Sequence, residues 1–302
     1  MDNVHWLIRT QGIEEARRQA ANKRERQVVE AAYQVLSEDA ERIGFSYSGF
    51  ALTSLPHRPI QEQTWKREGH NLTLWLQSGI DRAGKPVGLP YGSYARFMLL
   101  FLQSEAVKTR SREIELGRSM RVWLGMMGFS IGGKTYRMVS EQARRLSVCR
   151  LTFFAAHGKA DLVKNAAFVE GAIHFTETPD QASFWQDRVR LDESFYRALV
   201  DHPLPVNEGA LKAIGPRSMV IDVYIWLAYR LHALKKNVEI GWPALHAQFG
   251  EGVQAIRQFR AYFLECLELA LAVYPDARVT LGERGLILHP SKSAIMQIGM
   301  TS

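Results

Sequence analysis

With 302 residues, 46% of them hydrophobic and 23% charged, the chain can bury cores in about two domains, and seven Trp make it too aromatic for a disordered protein. Its apolar runs fall far short of the roughly 18–20 residues that span a bilayer, and the N-terminus has neither a basic start with an apolar core nor a small-residue cleavage site. No membrane partner and a cytoplasmic location are therefore expected. Cys149 and Cys266, the only cysteines, are too few for a disulfide framework or a cysteine zinc site and read as reduced packing thiols. The net charge of +7 is concentrated: residues 61–160 hold 16 Lys and Arg against 7 Asp and Glu, whereas 1–60 are balanced and 161–302 slightly acidic. A positive field confined to one segment points to a polyanion held by part of the molecule, with nucleic acid ahead of an acidic membrane.

The first predicted element is a helix from about Ile13 to Ile43, ended by Gly44. Its stripe of Ala20, Val28, Ala31, Val35 and Ala40 is thin, so the helix is expected to dock on something or pair with a partner. Tyr47 to His70, with Pro56 and Pro59, reads as a linker. Leu72, Leu74 and Leu76 then alternate as in a half-buried strand. A helix capped by Ser93 follows, with Tyr94, Phe97, Met98, Phe101, Leu102 and Val107 on its apolar face. Arg112 to Leu116 is strand-like, SMRVWLGMM is helical, and Gly128, Gly132 and Gly133 turn the chain into a helix from about Thr135 to Val148. On that helix Tyr136, Val139, Ala143 and Leu146 face inward, while Arg137, Glu141, Arg144 and Arg145 fall on the other side. Arg150 to Ala156 and Ala167 to Phe175 then form a hairpin joined by the polar GKADLVKN.

The second half repeats this scheme. Strand character at Val189 and Leu191 and the short helix NEGALKAI lead to a long helix after Pro216, with Met219, Val220, Val223, Trp226, Leu227, Leu231 and Leu234 in its stripe. The short strand VEIGW and helix PALHAQF follow. A helix from about Val253 to Tyr274 puts Ile256, Phe259, Phe263, Leu267 and Ala270 inward and Gln254, Arg257, Gln258 and Ala261 outward. Val279, Leu281, Leu286 and Leu288 flank a Gly282–Gly285 turn in a closing hairpin. The expected class is α+β: two tandem winged helix-turn-helix domains, 71–187 and 188–302, behind an N-terminal helix and linker, 1–70.

In that layout a helix about 10–12 Å across enters the major groove, the preceding helix braces it, and the hairpin reaches flanking backbone. Lys134, Arg137, Arg144, Arg145 and Arg150 are the candidate phosphate contacts. Gln254, Arg257, Gln258 and Arg260 are the candidate base readers, because Gln and Arg make paired hydrogen bonds to adenine and guanine edges. Arg278 and Arg284 are the candidate wing residues. Two such helices about one DNA turn apart would cover a site on the order of 20 base pairs of double-stranded DNA.

Residues 88–146, from GLPYGSYARF through Glu105–Ala106, Thr109–Arg112 and the glycines to Gln142, Arg145 and Leu146, resemble the plasmid-encoded RepA family of replication initiators. The resemblance extends in general layout to about His289; residues 1–70 do not share it. It implies two winged-helix domains that bind repeated origin sequences (iterons), help open an adjacent A·T-rich segment and recruit the host initiator and replicative helicase. It implies no catalytic centre and no cofactor. Monomer and homodimer are both compatible with the sequence.

Two other functions compete. A winged-helix transcriptional repressor would use the same DNA chemistry. A nucleotide-binding enzyme is suggested by GFSIGGKT, Gly128 to Thr135, which fits the phosphate-loop pattern G-x-x-x-x-G-K-[ST]. That motif needs a buried strand before it and an acidic residue ending another strand, whereas SMRVWLGMM reads as helix and Asp222 lies in a predicted helix. The nine dispersed histidines lack zinc-ligand spacing, so no metal is expected. Glu113 and Glu115 read as salt partners of nearby arginines. Trp65, Trp75, Trp123, Trp185, Trp226 and Trp242 read as core.

Overall fold

The computed structural model describes residues 4–38, 42–69, 71–127, 129–157, 160–171 and 188–295. It forms two compact units, Met1–Gly44 with Leu204–Ser302, and Phe45–Pro203. Helices and antiparallel strands are mixed in both, an α+β architecture.

The N-terminal stretch is three helices, α1 (Val4–Gln11), α2 (Ile13–Gln19) and α3 (Lys23–Leu36). The single helix expected from Ile13 is broken at Asn22. Its side-chain oxygen accepts from the Glu25 N–H at 2.9 Å while the Glu25 carboxylate accepts from the Ala21 N–H at 2.8 Å. This reciprocal cap starts a new helix inside a run of good helix formers.

Next come β1 (Ile43–Tyr47), α4 (Gly49–Leu52), β2 (Thr64–Gly69) and β3 (Leu72–Gln77). The expected linker thus supplies a helical turn and a strand. TWKREG looks too polar for a sheet, yet β2 pairs with β3 from Thr64↔Gln77 to Gly69↔Leu72, and the guanidinium of buried Arg67 lies 4.8 Å over the Trp65 ring. α5 (Gly92–Thr109) starts without a side-chain cap, so Ser93 is not its N-cap; it buries Ala95, Met98, Leu99, Leu102 and Ala106 and ends at Arg110 in left-handed geometry, φ 53°. Phe97 and Phe101 are only partly buried. β4 (Glu113–Glu115), α6 (Met120–Met126) and α7 (Gly133–Val148) follow, with Ser119 capping α6.

β5 (Arg150–His157) and β6 (Ala160–Ala167) form a hairpin. Residues expected as its polar loop are mostly strand, because β6 pairs with β5 along its whole length, from Arg150↔Ala167 to His157↔Ala160. β7 (Val169–Glu170), β8 (Arg188–Leu191) and α8 (Glu193–Asp201) complete the unit; residues 172–187, with part of the expected second strand and Trp185, lie outside the described residues. Two sheets result, ordered β2-β3-β5-β6 and β4-β8-β7. The unit divides from its neighbour at 203/204 rather than 187/188 because β8 pairs with β4, Glu113↔Arg190 to Glu115↔Arg188, and Phe195 of α8 joins Tyr47, Phe50 and Phe168 in one aromatic cluster. Glu113 and Glu115 are ion-paired with Arg190 at 2.9 Å and Arg188 at 3.0 Å.

The other unit continues with β9 (Pro203–Asn207), α9 (Glu208–Ile214), α10 (Ser218–Leu231), β10 (Val238–Gly241), α11 (Trp242–Phe249), α12 (Ile256–Ala272), β11 (Val279–Leu281) and β12 (Gly285–Leu288), its three-stranded sheet ordered β10-β12-β11. Trp226, Phe249, Phe259 and Phe263 lock α10, α11 and α12 together through ring contacts of 5.3–5.5 Å. α3 packs on α9 and α12 with Val28, Val29, Ala31 and Ala32 buried, so the thin stripe docks within its own unit. Arg24 pairs with Glu265 at 3.2 Å and Glu268 at 3.3 Å, and His5 Nε2 meets the Ala272 carbonyl at 2.7 Å. Both cysteines are free and buried, and burial pushes their thiols up to about 12. Among the described residues no helix is long and apolar enough to cross a membrane.

Truncating Phe263 removes the ring that joins Phe249 to Phe259, so Phe263→Ala is expected to cost about 3–5 kcal/mol, read as a lowered denaturant midpoint. A second outcome concerns pH. Burial, then the neighbouring Arg96, Arg67 and Arg58, hold His57 well below its ordinary 6.5. The unfolded chain therefore binds that proton more readily, so the stability contributed by neutral His57 is complete above pH 6.5 and is lost as pH falls below it. Urea midpoints at pH 7.5 and 5.5 should differ less in His57→Gln than in the wild type.

Candidate nucleic-acid interface

What presents α7 is a clasp between its C-terminal half and the segment before α5. Gln142, fully buried, accepts the Tyr91 backbone N–H through Oε1 at 2.8 Å. Arg145 donates to the Leu89 carbonyl at 2.9 Å, pairs with Glu141 at 2.7 Å, and lies 5.0 Å over the Tyr91 ring. Gly88 is required beside it: φ is +92°, and a Cβ there would come within 2.6 Å of the Arg145 guanidinium. Burial and Glu141 raise the Tyr91 phenol above its ordinary value. Arg145, expected to face phosphate, is instead partly buried, with its guanidinium taken up by a carbonyl, a carboxylate and a ring of its own unit.

With that face fixed, α7 exposes Lys134, Arg137 and Arg144, while Val139, Ala143 and Leu146 are buried. Tyr136 is only partly buried. Arg144 touches Asp81 at 3.5 Å, and the Asp81 Oδ1 accepts from the N–H groups of Ala83 and Lys85, both at 2.9 Å. This folds the turn 81–85 and brings exposed Arg82 and Lys85 beside α7, two cations not anticipated as site residues. The letters DRAGK mark both a turn and its charge; its place next to α7 follows from the close approach of Gly79 to the Val148 carbonyl and of Gly88 to Arg145, contacts between residues far apart in sequence. Arg150 is exposed at the start of β5, on the sheet rather than the helix.

In the other unit α12 begins at Ile256, so Gln254 stands in the approach to the helix rather than on it. Arg257, Gln258 and Ala261 are exposed in its first turns. Ile256, expected inward, is 43% exposed; the first α12 ring against α11 is that of Phe259, on His246, followed by Phe263 on Phe249. Arg260 is exposed and held 4.6 Å over the Trp242 ring, which fixes the guanidinium at the edge of this face. Arg284 lies in the β11–β12 turn, closed by Gly282 N–H to the Gly285 carbonyl at 2.9 Å, whereas Arg278 sits at the base of the hairpin, where its carbonyl accepts from the His289 N–H at 3.0 Å.

The phosphate-loop letters have a different setting from the one that chemistry needs. The element before Lys134 is the helix α6, not a strand; Thr135 is buried, and Asp222 is buried within α10. Among the described residues no three His, Cys, Asp or Glu gather as a metal site.

A family model described as plasmid-encoded RepA protein matches residues 89–243, just over half of the chain. The chain belongs to that family. As a RepA-family member it is a replication initiator. No curated protein matches it. Among solved structures it is similar to the crystal structure of selenomethionine derivatives of domains 2 and 3 of RctB, with a TM-score of 0.48 and 12% identity over 83% of this chain and 99% of that one. It is also similar to a second crystal structure of RctB domains 2–3, with a TM-score of 0.45 and 10% identity over 80% of this chain and 94% of that one. The RepA match opens at Leu89, in the clasp, and ends at Pro243 in α11, so α12 and the closing hairpin lie beyond it.

The clasp makes a measurable distinction between neighbouring arginines. Arg145→Ala is expected to lower stability by about 1–3 kcal/mol, since it strips partners from buried groups. Arg137→Ala should change it by no more than about 0.5 kcal/mol. Chemical denaturation of the two variants checks both, and similar small shifts would contradict a structural role for Arg145.

Proposed function

We propose that this RepA-family initiator binds repeated double-stranded sites at a plasmid origin through two winged helix-turn-helix modules, α5 to β8 and α10 to β12. The observation that carries this reading is a repeated order. Each unit runs helix, strand, helix, helix, and its three-stranded antiparallel sheet sets the first of those strands beside the last, β4-β8-β7 in one and β10-β12-β11 in the other. The helix after the turn, α7 or α12, then carries an exposed polar face. Such a helix fits the major groove, and the contacts at its N-terminal end are the ones that reach base edges.

The two faces suit different work. Lys134, Arg137 and Arg144, with Arg82 and Lys85, are point charges suited to phosphate and to sequence-independent grip. Gln254, Arg257 and Gln258 can pair with adenine or guanine edges, and Arg260, restrained by Trp242, suits a flanking phosphate. Arg284 in the hairpin turn suits flanking backbone; Arg278 is set back from it. Binding to iterated sites, opening of an A·T-rich segment and recruitment of the host initiator and helicase belong to the same proposal and rest on family membership.

Salt titrations of binding to origin and random duplex test the division. Lys134→Ala and Arg137→Ala should weaken binding to both and flatten the slope of log K against log salt by about one unit each. Arg257→Ala should relax preference at one base position by about 1–3 kcal/mol, with little loss on random duplex. Equal losses on both duplexes for Arg257→Ala would sink its assignment as a base reader.

A further inference from the structure

The four-stranded sheet β2-β3-β5-β6 is an addition to the order that the two units share, and its two faces differ. Leu74, Leu76, Leu151 and Phe153 on one face are buried in the core. Alternation turns the intervening residues outward, and the register aligns them in rows: Lys66 opposite Trp75, Trp75 opposite Thr152, and Thr152 opposite Asn165. Adjoining rows set Thr73 opposite Phe154 and Gln77 opposite Arg150. Trp75, read from sequence as core, is 39% exposed. Lys66, Gln77, Arg150 and Asn165 are exposed and Phe154 is partly so. The Lys66 ammonium sits 5.7 Å from the Trp75 ring centre and also pairs with Glu68, the outward carboxylate of β2, β3 and β5.

We infer that this outward face binds single-stranded DNA, with one base stacked on Trp75, a neighbouring base reaching Phe154, and Lys66 and Arg150 directed at phosphates. The physical ground is the combination of an accessible indole, a second aromatic on the diagonal, Lys66 in the row of the indole, Arg150 in the next row on the side away from Phe154, and amide and hydroxyl groups among them. A duplex keeps its base faces inside its own stack, so only a single strand can offer them to the indole. Strands about 4.8 Å apart and residues about 3.3 Å apart give a face suited to roughly four nucleotides. The choice of DNA over RNA rests on the duplex-binding reading above; the stacking chemistry does not.

The test is fluorescence anisotropy of the full-length protein with a fluorescein-labelled oligothymidylate of about 15 nucleotides, beside origin duplex and an oligouridylate of equal length. Trp75→Ala should bind oligothymidylate about tenfold or more weakly, within the range of one lost stacked base, while duplex affinity and the circular dichroism spectrum stay unchanged. Trp75→Phe should restore most of the loss, and Arg137→Ala should show the reverse pattern, impaired on duplex and intact on the single strand. Wild-type affinity in Trp75→Ala, an equal loss on duplex, or failure of the wild type to bind oligothymidylate at low salt would each overturn the inference. Tighter binding of the oligouridylate would overturn the assignment to DNA. A wild type that held oligothymidylate but did not prefer origin duplex would count against the proposed function and leave the single-strand face standing.

Discussion

The orientation of α7 depends on the hold that Gln142 and Arg145 keep on residues 88–91. Two backbone groups, the Tyr91 N–H and the Leu89 carbonyl, are taken up by side chains from a helix about 50 positions later in the chain. A buried backbone group without a partner is costly, so this arrangement ties the segment before α5 to α7 and leaves little rotational freedom for either. Once that rotation is fixed, the outward side of α7 is decided: Lys134, Arg137 and Arg144 face solvent because Gln142, Ala143 and Leu146 cannot. The residues by which the chain resembles its family, the Pro-Tyr-Gly opening and the Gln-x-x-Arg-Leu ending, are thus the two halves of one contact. They serve presentation of the helix more than contact with a ligand.

The other unit reaches the same kind of presentation by different means. α12 is held by rings, Phe263 against Phe249 and Phe259 against His246, with Trp226 behind Phe249, and stacking on Trp242 restrains Arg260. Apolar packing of this sort fixes a helix face strongly, and it leaves Arg257 and Gln258 exposed in the first turns of α12. The N-terminal helices support α12 from within their unit, through small residues that allow close approach and through Arg24 reaching Glu265 and Glu268. Exposed pairs of that sort contribute little by themselves; the burial of Val28 and Val29 carries more of the docking energy.

Periodicity and punctuation in the sequence determined a good deal: the α+β class, the helices that became α5, α6, α7, α10 and α12, the closing hairpin, the cationic middle third and the pairing of Glu113 and Glu115 with arginines. These are local or statistical properties, legible because a helix face or a strand alternation repeats within a few residues. Tertiary structure alone decided the rest. Arg144 and Arg145 are adjacent and chemically identical, yet one faces solvent and the other is bound by Leu89, Glu141 and Tyr91, partners that only folding brings to it. TWKREG became a strand because β3 offered it a ladder, and Trp75 became exposed because its neighbours Leu74 and Leu76 claimed the core side of the same strand. The division of the chain likewise follows from β8 pairing with β4 and α3 packing on α12, contacts between residues far apart in sequence that no local pattern records.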